Sequence, residues 1–443
     1  MRPAERAPSR ITRIARFDMC RVLALVLAGG RVDELSVLTL ERPKSALPFG
    51  GMYRVIDFAL SNLAASGVER VGILSQYRSL SLSQHIGIGA SWDLAGRDRG
   101  ASLLSPQKGA ADTDWYRGTA DAVYQNLEFI DQHQPDLVLI LSGDHVYHMD
   151  YLPMIRFHEE RKADLTAAFV EVETEQARRF GIGDIDGDAS EEGGRLLGYA
   201  EKSETPKGRW ASMTVYLFRP DLLARLVTDN ARRGASWEFG RDILPSVLGR
   251  YRVFGYRHRG YWGYSRTIEE YWRCHMDILG ECPRIDLEAW RTRTNLDNWS
   301  LRDRPPAILL SSARVSDSRI GAGSVIGGEV TRSVLFPGCR VAEGATVRGS
   351  ILFPGVMVGP GSTVDRVIAD ERAVIEGNAR VGAGDDLTPN RSFPELLFAG
   401  ITLIGKKAHV PQGIRIGRNC VVGPRFNPEN FHKPSYASGE LIT

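Results

Sequence analysis

The sequence predicts an α/β domain with a mostly parallel sheet, followed by a parallel β-helix of hexapeptide repeats. Three observations lead there. From about residue 20 to 280 short apolar runs alternate with longer amphipathic ones, as in Val71-Gly72-Ile73-Leu74, Leu137-Val138-Leu139-Ile140-Leu141 and Leu165-Thr166-Ala167-Ala168-Phe169-Val170. Strands interleaved with helices build a sheet whose faces the helices cover. Beyond residue 306 aliphatics instead recur six apart, at Ile320 and Ile326, Val341 and Val347, Val358 and Val364, Ile375 and Val381, then Val410, Ile416 and Val422. Glycines such as Gly321, Gly327, Gly359 and Gly377 fall between them, and this period marks coils that stack their inward aliphatics on one another. An ordinary β-sandwich needs a period of two and gives no reason for such spacing.

Taken in order, residues 1–18 carry five arginines with little apolar periodicity and read as a loose extension, with Met19 a candidate start. Arg21 and the apolar run Val22 to Ala28 could pass for a signal peptide, but the run ends in Gly29-Gly30, as a buried parallel strand feeding a loop does. The α/β domain then spans 19–280. Residues 281–306 break the pattern, end in Arg302-Asp303-Arg304-Pro305-Pro306 and read as a linker. The β-helix spans 307–425, interrupted by a projecting loop from Asp385 to Gly400. A Pro/Asn/Ser-rich tail, 426–443, ends the chain.

Composition narrows the function classes. Hydrophobic residues make up 43% and charged residues 25%, with 56 basic side chains against 54 acidic ones. That balance gives no electrostatic case for nucleic acid or a membrane surface. No apolar stretch approaches the roughly 20 residues that span a bilayer. Five cysteines (Cys20, Cys274, Cys282, Cys339, Cys420) lack any C-x-x-C spacing, so neither a disulfide framework nor a zinc site is expected and a reducing cytoplasm is the simple reading. Nine histidines show no H-x-H or H-x-x-x-H cluster. Trp115, Trp210 and Trp262 are expected to pack. Arg54 and Asp57 read equally well as a structural ion pair.

Ligands of such sheets sit beyond the carboxyl ends of the strands. Gly29-Gly30 and Gly143-Asp144 both fall there, so both strand ends point to one site. Gly29-Gly30 would let backbone amides approach a phosphate. The segment continues through Leu35, Leu38-Thr39, Arg42, Lys44, Pro48-Phe49-Gly50-Gly51 and Tyr53-Arg54-Val55-Ile56-Asp57-Phe58-Ala59-Leu60-Ser61-Asn62. Gln76-Tyr77-Arg78-Ser79, Trp115-Tyr116-Arg117-Gly118-Thr119-Ala120-Asp121-Ala122-Val123, Gly143-Asp144-His145-Val146-Tyr147, Glu201-Lys202, Ala211-Ser212-Met213, Phe239-Gly240-Arg241-Asp242-Ile243-Leu244-Pro245 and Thr267-Ile268-Glu269 follow. In these residues, in this order along almost the whole chain, the sequence resembles the ADP-glucose pyrophosphorylases, the bacterial glucose-1-phosphate adenylyltransferases.

The resemblance implies a Rossmann-like nucleotidyltransferase domain and a left-handed parallel β-helix. It implies a reaction joining glucose 1-phosphate to the α-phosphate of ATP, giving ADP-glucose and pyrophosphate for glycogen or α-glucan synthesis. Such transfer rests on positioning and charge neutralisation. By resemblance, the nucleotide lies over Gly29, Gly30 and Gln76 near Gly118 and Thr119. Glucose 1-phosphate is held by Glu201, Lys202 and Ser212, with Tyr116 and Gly181 nearby. Lys44 faces the polyphosphate, and Asp144 holds Mg2+, a hard cation suited to carboxylate and phosphate oxygens. Association with itself or a homologue is implied as well.

Two departures bear on catalysis. The family's first loop reads Gly-Gly-x-Gly-Thr-Arg-Leu, where this chain has Gly29-Gly30-Arg31-Val32-Asp33-Glu34-Leu35. Glu34 thus stands in place of a phosphate-clamping arginine, and Val32 in place of a glycine expected to need positive φ. The family's Tyr-Trp-Arg-Asp-Val-Gly-Thr corresponds to Tyr261-Trp262-Gly263-Tyr264-Ser265-Arg266-Thr267, which puts Tyr264 where a second metal carboxylate belongs. Ser45, Ser203 and Thr214 are milder changes. The sugar-phosphate residues survive, whereas the clamp and half the metal site do not. This direction implies a catalytically impaired regulatory or partner subunit that still binds sugar phosphate. The alternative is an active adenylyltransferase in which Glu34 joins the metal and Arg266 or Arg31 supplies the missing cation.

Overall fold

A computed structural model describes residues 20–30, 32–106, 115–234 and 236–443. Residues 1–18, Met19 and Arg31, on which expectations were placed above, lie outside the described residues.

The strand Val22–Leu27 is apolar throughout, and the period of two splits its side chains between two layers. Ala24 and Val26 enter one core and Leu23 and Leu25 another, which makes the domain three layers deep. It lies in a nine-stranded sheet. Gly100–Leu104, Arg70–Leu74, Val22–Leu27 and Leu137–Ser142 run parallel to one another. Trp210–Phe218 then runs antiparallel to both Leu137–Ser142 and Leu165–Glu171, so the sheet as a whole is mixed. The parallel half carries the glycine loop at the carboxyl end of Val22–Leu27, with Leu137–Ser142 ending beside it.

The second domain is a left-handed parallel β-helix made of three sheets of short parallel strands. Residues six apart in sequence occupy successive faces of one coil, and the next coil stacks upon them. Thus Ile326, Val341, Val358, Ile375 and Val410 form one ladder. Val330, Val347, Val364, Val381 and Ile416 form the second. The segment from Asp385 to Gly400 carries no strand and leaves the coil between Arg380–Val381 and Thr402–Ile404. The expected tail is corrected: Ser435–Tyr436 pairs with Arg415–Ile416 and Leu441–Ile442 with Val421–Val422, so residues beyond Phe426 close a further coil.

An apolar seam joins the domains. Leu35, Phe49, Phe58 and Tyr271 share one buried cluster with Val334, Phe336, Phe353 and Leu403 of the β-helix. Ile285 and Leu287, within the expected linker, are buried in the same cluster, so this segment is docked along its path.

Two packing expectations are corrected here. Asp57 accepts from the Arg54 backbone N–H, but its carboxylate side chain faces His85, while the Arg54 guanidinium donates to the Ala46 carbonyl. They form no side-chain ion pair. Trp115 is 64% exposed instead of packed.

Candidate active site

The glycine loop is shaped by a close backbone approach. A Cβ on Gly29 would lie 2.7 Å from the Gln76 backbone nitrogen, so only glycine lets the two loops meet. Gln76 is held by a reciprocal pair: its amide donates to the Tyr116 carbonyl at 3.2 Å and accepts from the Tyr116 N–H at 2.8 Å. Gly118 leads into the helix Thr119–Tyr124, and the Thr119 hydroxyl donates to Glu238 at 2.7 Å.

Across the cavity the Tyr199 hydroxyl donates to Glu201 at 2.6 Å. Any Cβ on Gly181 would sit 1.7 Å from that hydroxyl, which explains a glycine there. The Ser212 and Tyr216 hydroxyls are 3.2 Å apart. These groups line one cavity of ≈ 530 Å³ with Gly29, Gly30, Lys44, Gln76, Tyr116, Gly118, Thr119, Asp144, Gly181, Lys202 and Tyr264. Glu34 does not join them. It lines an adjoining cleft that shares Arg179, Lys202, Tyr264 and Arg266 with the cavity.

The side of the cavity around Lys44 is dense with charge. Lys44, 1% exposed, donates to the Tyr264 backbone carbonyl at 2.6 Å and lies 3.4 Å from Asp144 Oδ2. Burial lowers its pKa against the pull of Asp144. Burial pushes the Asp144 carboxyl up, but Lys44, His145 and the Ser142 hydroxyl outweigh it and hold it well below the usual range. Burial depresses His145 to about 4, so it is neutral at pH 7. Tyr264 packs edge-on against Phe180 and tilted against His145 and Trp262, and burial raises its phenol above the ordinary value. Ser265, at φ 44, turns the chain so that Arg266 follows into the same cavity. There Arg266 Nε lies 3.0 Å from Glu34 Oε1, and its Nη1 donates to the Tyr264 hydroxyl at 3.3 Å.

Val32 is extended (φ −124, ψ 97), and its carbonyl accepts from the Thr39 hydroxyl at 2.6 Å. The expected conflict with positive φ therefore does not arise.

Six basic side chains line the cavity (Lys44, Arg117, Arg179, Lys202, Arg241, Arg266) against three carboxylates (Asp144, Glu201, Glu238). Among the described residues no group of three or more His, Cys, Asp or Glu side chains could hold a metal. Asp144 is the nearest to a ligand, yet Oδ1 takes the Ser142 hydroxyl and lies 3.3 Å from His145 while Oδ2 faces Lys44. Among the described residues, the groups that reach Asp144 from the facing segment 264–266 are a phenol and a guanidinium, neither of them a carboxylate. This donor set does not fit a divalent ion.

Sequence reasoning missed Tyr199, Tyr216 and Glu238. A strand period of two places Tyr199 on the face of Glu201, which was a usable signal. Glu238 directly precedes the Phe239-Gly240-Arg241 match but carries no pattern of its own. Burial raises its carboxyl, partly offset by Thr119.

A glycine loop feeding a basic cavity, with a hexapeptide solenoid behind it, defines the nucleotidyltransferase class. Residues 23–281 match the nucleotidyl transferase family and residues 310–404 the GlmU-like, C-terminal hexapeptide family. The chain is 44% identical over 446 residues to the glucose-1-phosphate adenylyltransferase of Thermomicrobium roseum, covering 96% of this chain and 98% of the relative. It is 41% identical over 429 residues to that of Thermotoga neapolitana, covering 96% and 99%. The chain belongs to the glucose-1-phosphate adenylyltransferase family. No helix among its described residues is long and apolar enough to cross a membrane.

Proposed function

We propose that this chain binds glucose 1-phosphate and an adenine nucleotide or ADP-glucose in the cavity, but transfers the adenylyl group slowly and serves as a regulatory or partner subunit. Glu201, Lys202 and Ser212, with Tyr116 and Gly181, hold the sugar phosphate. The nucleotide lies along Gly29, Gly30 and Gln76, near Gly118 and Thr119. Lys44 and Asp144 occupy the catalytic positions, and Mg2+ is the cofactor the family implies.

One observation carries the reading. Tyr264 fills the wall opposite Asp144, and its carbonyl takes the Lys44 ammonium, so the cation meant for the polyphosphate is already engaged on both sides. Glu34 likewise forms an ion pair with Arg266 at 3.0 Å. Both observations count against the active alternative, in which Glu34 ligates the metal.

Association is supported by the first coil, whose edge strand Ile308–Leu309 has one neighbour and leaves both side chains more than half exposed. Five free cysteines accord with a reducing cytoplasm. The deciding assay is pyrophosphate release from ATP and glucose 1-phosphate with Mg2+, by the chain alone and beside an active homologue. Turnover by the chain alone in the ordinary range of roughly 1–1000 per second would sink the proposal, whereas stimulation of the homologue without turnover of its own is the expected result.

A further inference from the structure

We infer that this cavity binds the diphosphate of a nucleotide sugar without a divalent metal, with the Arg266 guanidinium taking the counter-charge role from the wall opposite the glycine loop. The inference rests on the proposed reading of the cavity as a sugar and nucleotide site.

A magnesium site is assembled from carboxylates with oxygen atoms to spare. Here both Asp144 oxygens are engaged by Ser142, His145 and Lys44, and the facing group is a phenol. The cavity lining is basic in excess, which suits an anion arriving without its own metal. Arg266 is placed for that task. Its Nε is tied to Glu34 and its Nη1 to the Tyr264 hydroxyl, contacts that fix the plane of the guanidinium and, among the described residues, leave Nη2 and the second Nη1 hydrogen for a ligand. A planar fork held this way can take two phosphate oxygens at once. Glu34 is therefore a positioning residue, not a metal ligand.

The same geometry limits the length of the phosphate chain. Arg266 lines both the cavity and the adjoining cleft, while Glu34 lines only the cleft. The two phosphates of a nucleotide sugar, capped by the sugar, stop short of the cleft, whereas the unesterified end of ATP running past Arg266 meets the Glu34 carboxylate. ADP-glucose is thus favoured over ATP.

Calorimetry on the full chain tests this, with ADP-glucose, ATP and glucose 1-phosphate each titrated in EDTA and in excess Mg2+. ADP-glucose should bind with an affinity that changes less than about threefold between the two conditions and should exceed that of ATP in EDTA. Arg266→Gln should weaken ADP-glucose binding in EDTA by about tenfold or more, the scale of a lost charge-assisted fork. Should that variant fail to fold, as its melting curve would reveal, Arg266→Lys keeps the charge without the fork and should lose about threefold to tenfold. Binding of ADP-glucose only with Mg2+, or an unchanged affinity in both variants, overturns the inference. If glucose 1-phosphate binds while ADP-glucose demands Mg2+, the inference alone falls. If neither sugar compound binds under either condition, the reading of the cavity falls with it.

Discussion

Arg42 donates to Asp370 at 2.8 Å across the seam between the two domains, and each side chain is almost sealed from solvent. Glu371 lies 3.6 Å from the same guanidinium and receives Lys406 at 2.7 Å, so the β-helix grips the segment just ahead of Lys44. Lys44 is thereby positioned from the second domain. Removing one member of a buried pair leaves the other charged and unpaired, which costs about 3–5 kcal/mol. Arg42→Ala, which strips Asp370 of its guanidinium, should lose that much in urea unfolding monitored by tryptophan fluorescence. A loss under about 1 kcal/mol would mean that the pair is solvated and contributes as little as a surface bridge does.

Stability should fall on mild acidification. Burial depresses His145, His158, His258 and His275 to about 4 each, against 6.5 for the free imidazole. Between those values the unfolded chain binds more protons than the folded one, so stability is intact above about pH 7 and drops as pH falls through the window from 6.5 to 4. Each histidine contributes on the order of 1 kcal/mol per pH unit there. Urea midpoints measured from pH 7.5 down to 4.5 should decline steadily. A flat profile would show that these imidazoles reach water in the native state.

Thr214 carries backbone strain that glycine would release. It sits at φ 54 between Ser212 and Tyr216, where the register of the strand shifts. A β-branched side chain there costs about 1–3 kcal/mol, while glycine adds roughly 0.5–1 kcal/mol of chain entropy to be lost on folding. Thr214→Gly should therefore stabilise, by up to about 2.5 kcal/mol. Differential scanning calorimetry reads the sign, and a lower melting temperature would mean that the threonine side chain makes contacts worth more than its strain.

The fold was legible because its periods are local. Aliphatics six apart announced the coils, and the run from Val22 to Leu27 ending in two glycines announced the loop. The last coil was hidden, since Ser435–Tyr436 and Leu441–Ile442 are two-residue strands in a Pro/Asn/Ser-rich stretch that no short window separates from a tail. The site was legible by residue type and less so by pairing. Glu34 and Arg266 are 232 positions apart, and Asp57 chose His85 over Arg54 three residues away. Pairings of that kind are set by tertiary packing and leave no spacing to read.

On the proposed reading of slow transfer, restoring it needs a third substitution that the sequence did not indicate. Glu34→Arg alone would bring a second guanidinium against Arg266, which now shares an ion pair with Glu34 at 3.0 Å. The expected result is lower stability and no gain in turnover, because two like charges at that distance repel by several kcal/mol at an effective dielectric near 20. Tyr264→Asp alone would place a carboxylate opposite Asp144 but beside Lys44 and Arg266, which would claim it before a metal could. Only the combination Glu34→Arg, Tyr264→Asp and Arg266→Gly clears the old pair, adds a clamp on the loop and gives Mg2+ a second carboxylate across from Asp144, with which it competes against Lys44 and His145 for the Asp144 oxygens. Val32→Gly is not required, since Val32 is extended. The three changes share one network, so their effects should be strongly non-additive. ADP-glucose formation should rise by about a hundredfold or more in the triple variant, with an absolute requirement for Mg2+, and by less than about threefold in any single one. A triple variant as slow as the parent would place the block elsewhere, with Thr214 and Ser45 on the cavity wall the next residues to exchange.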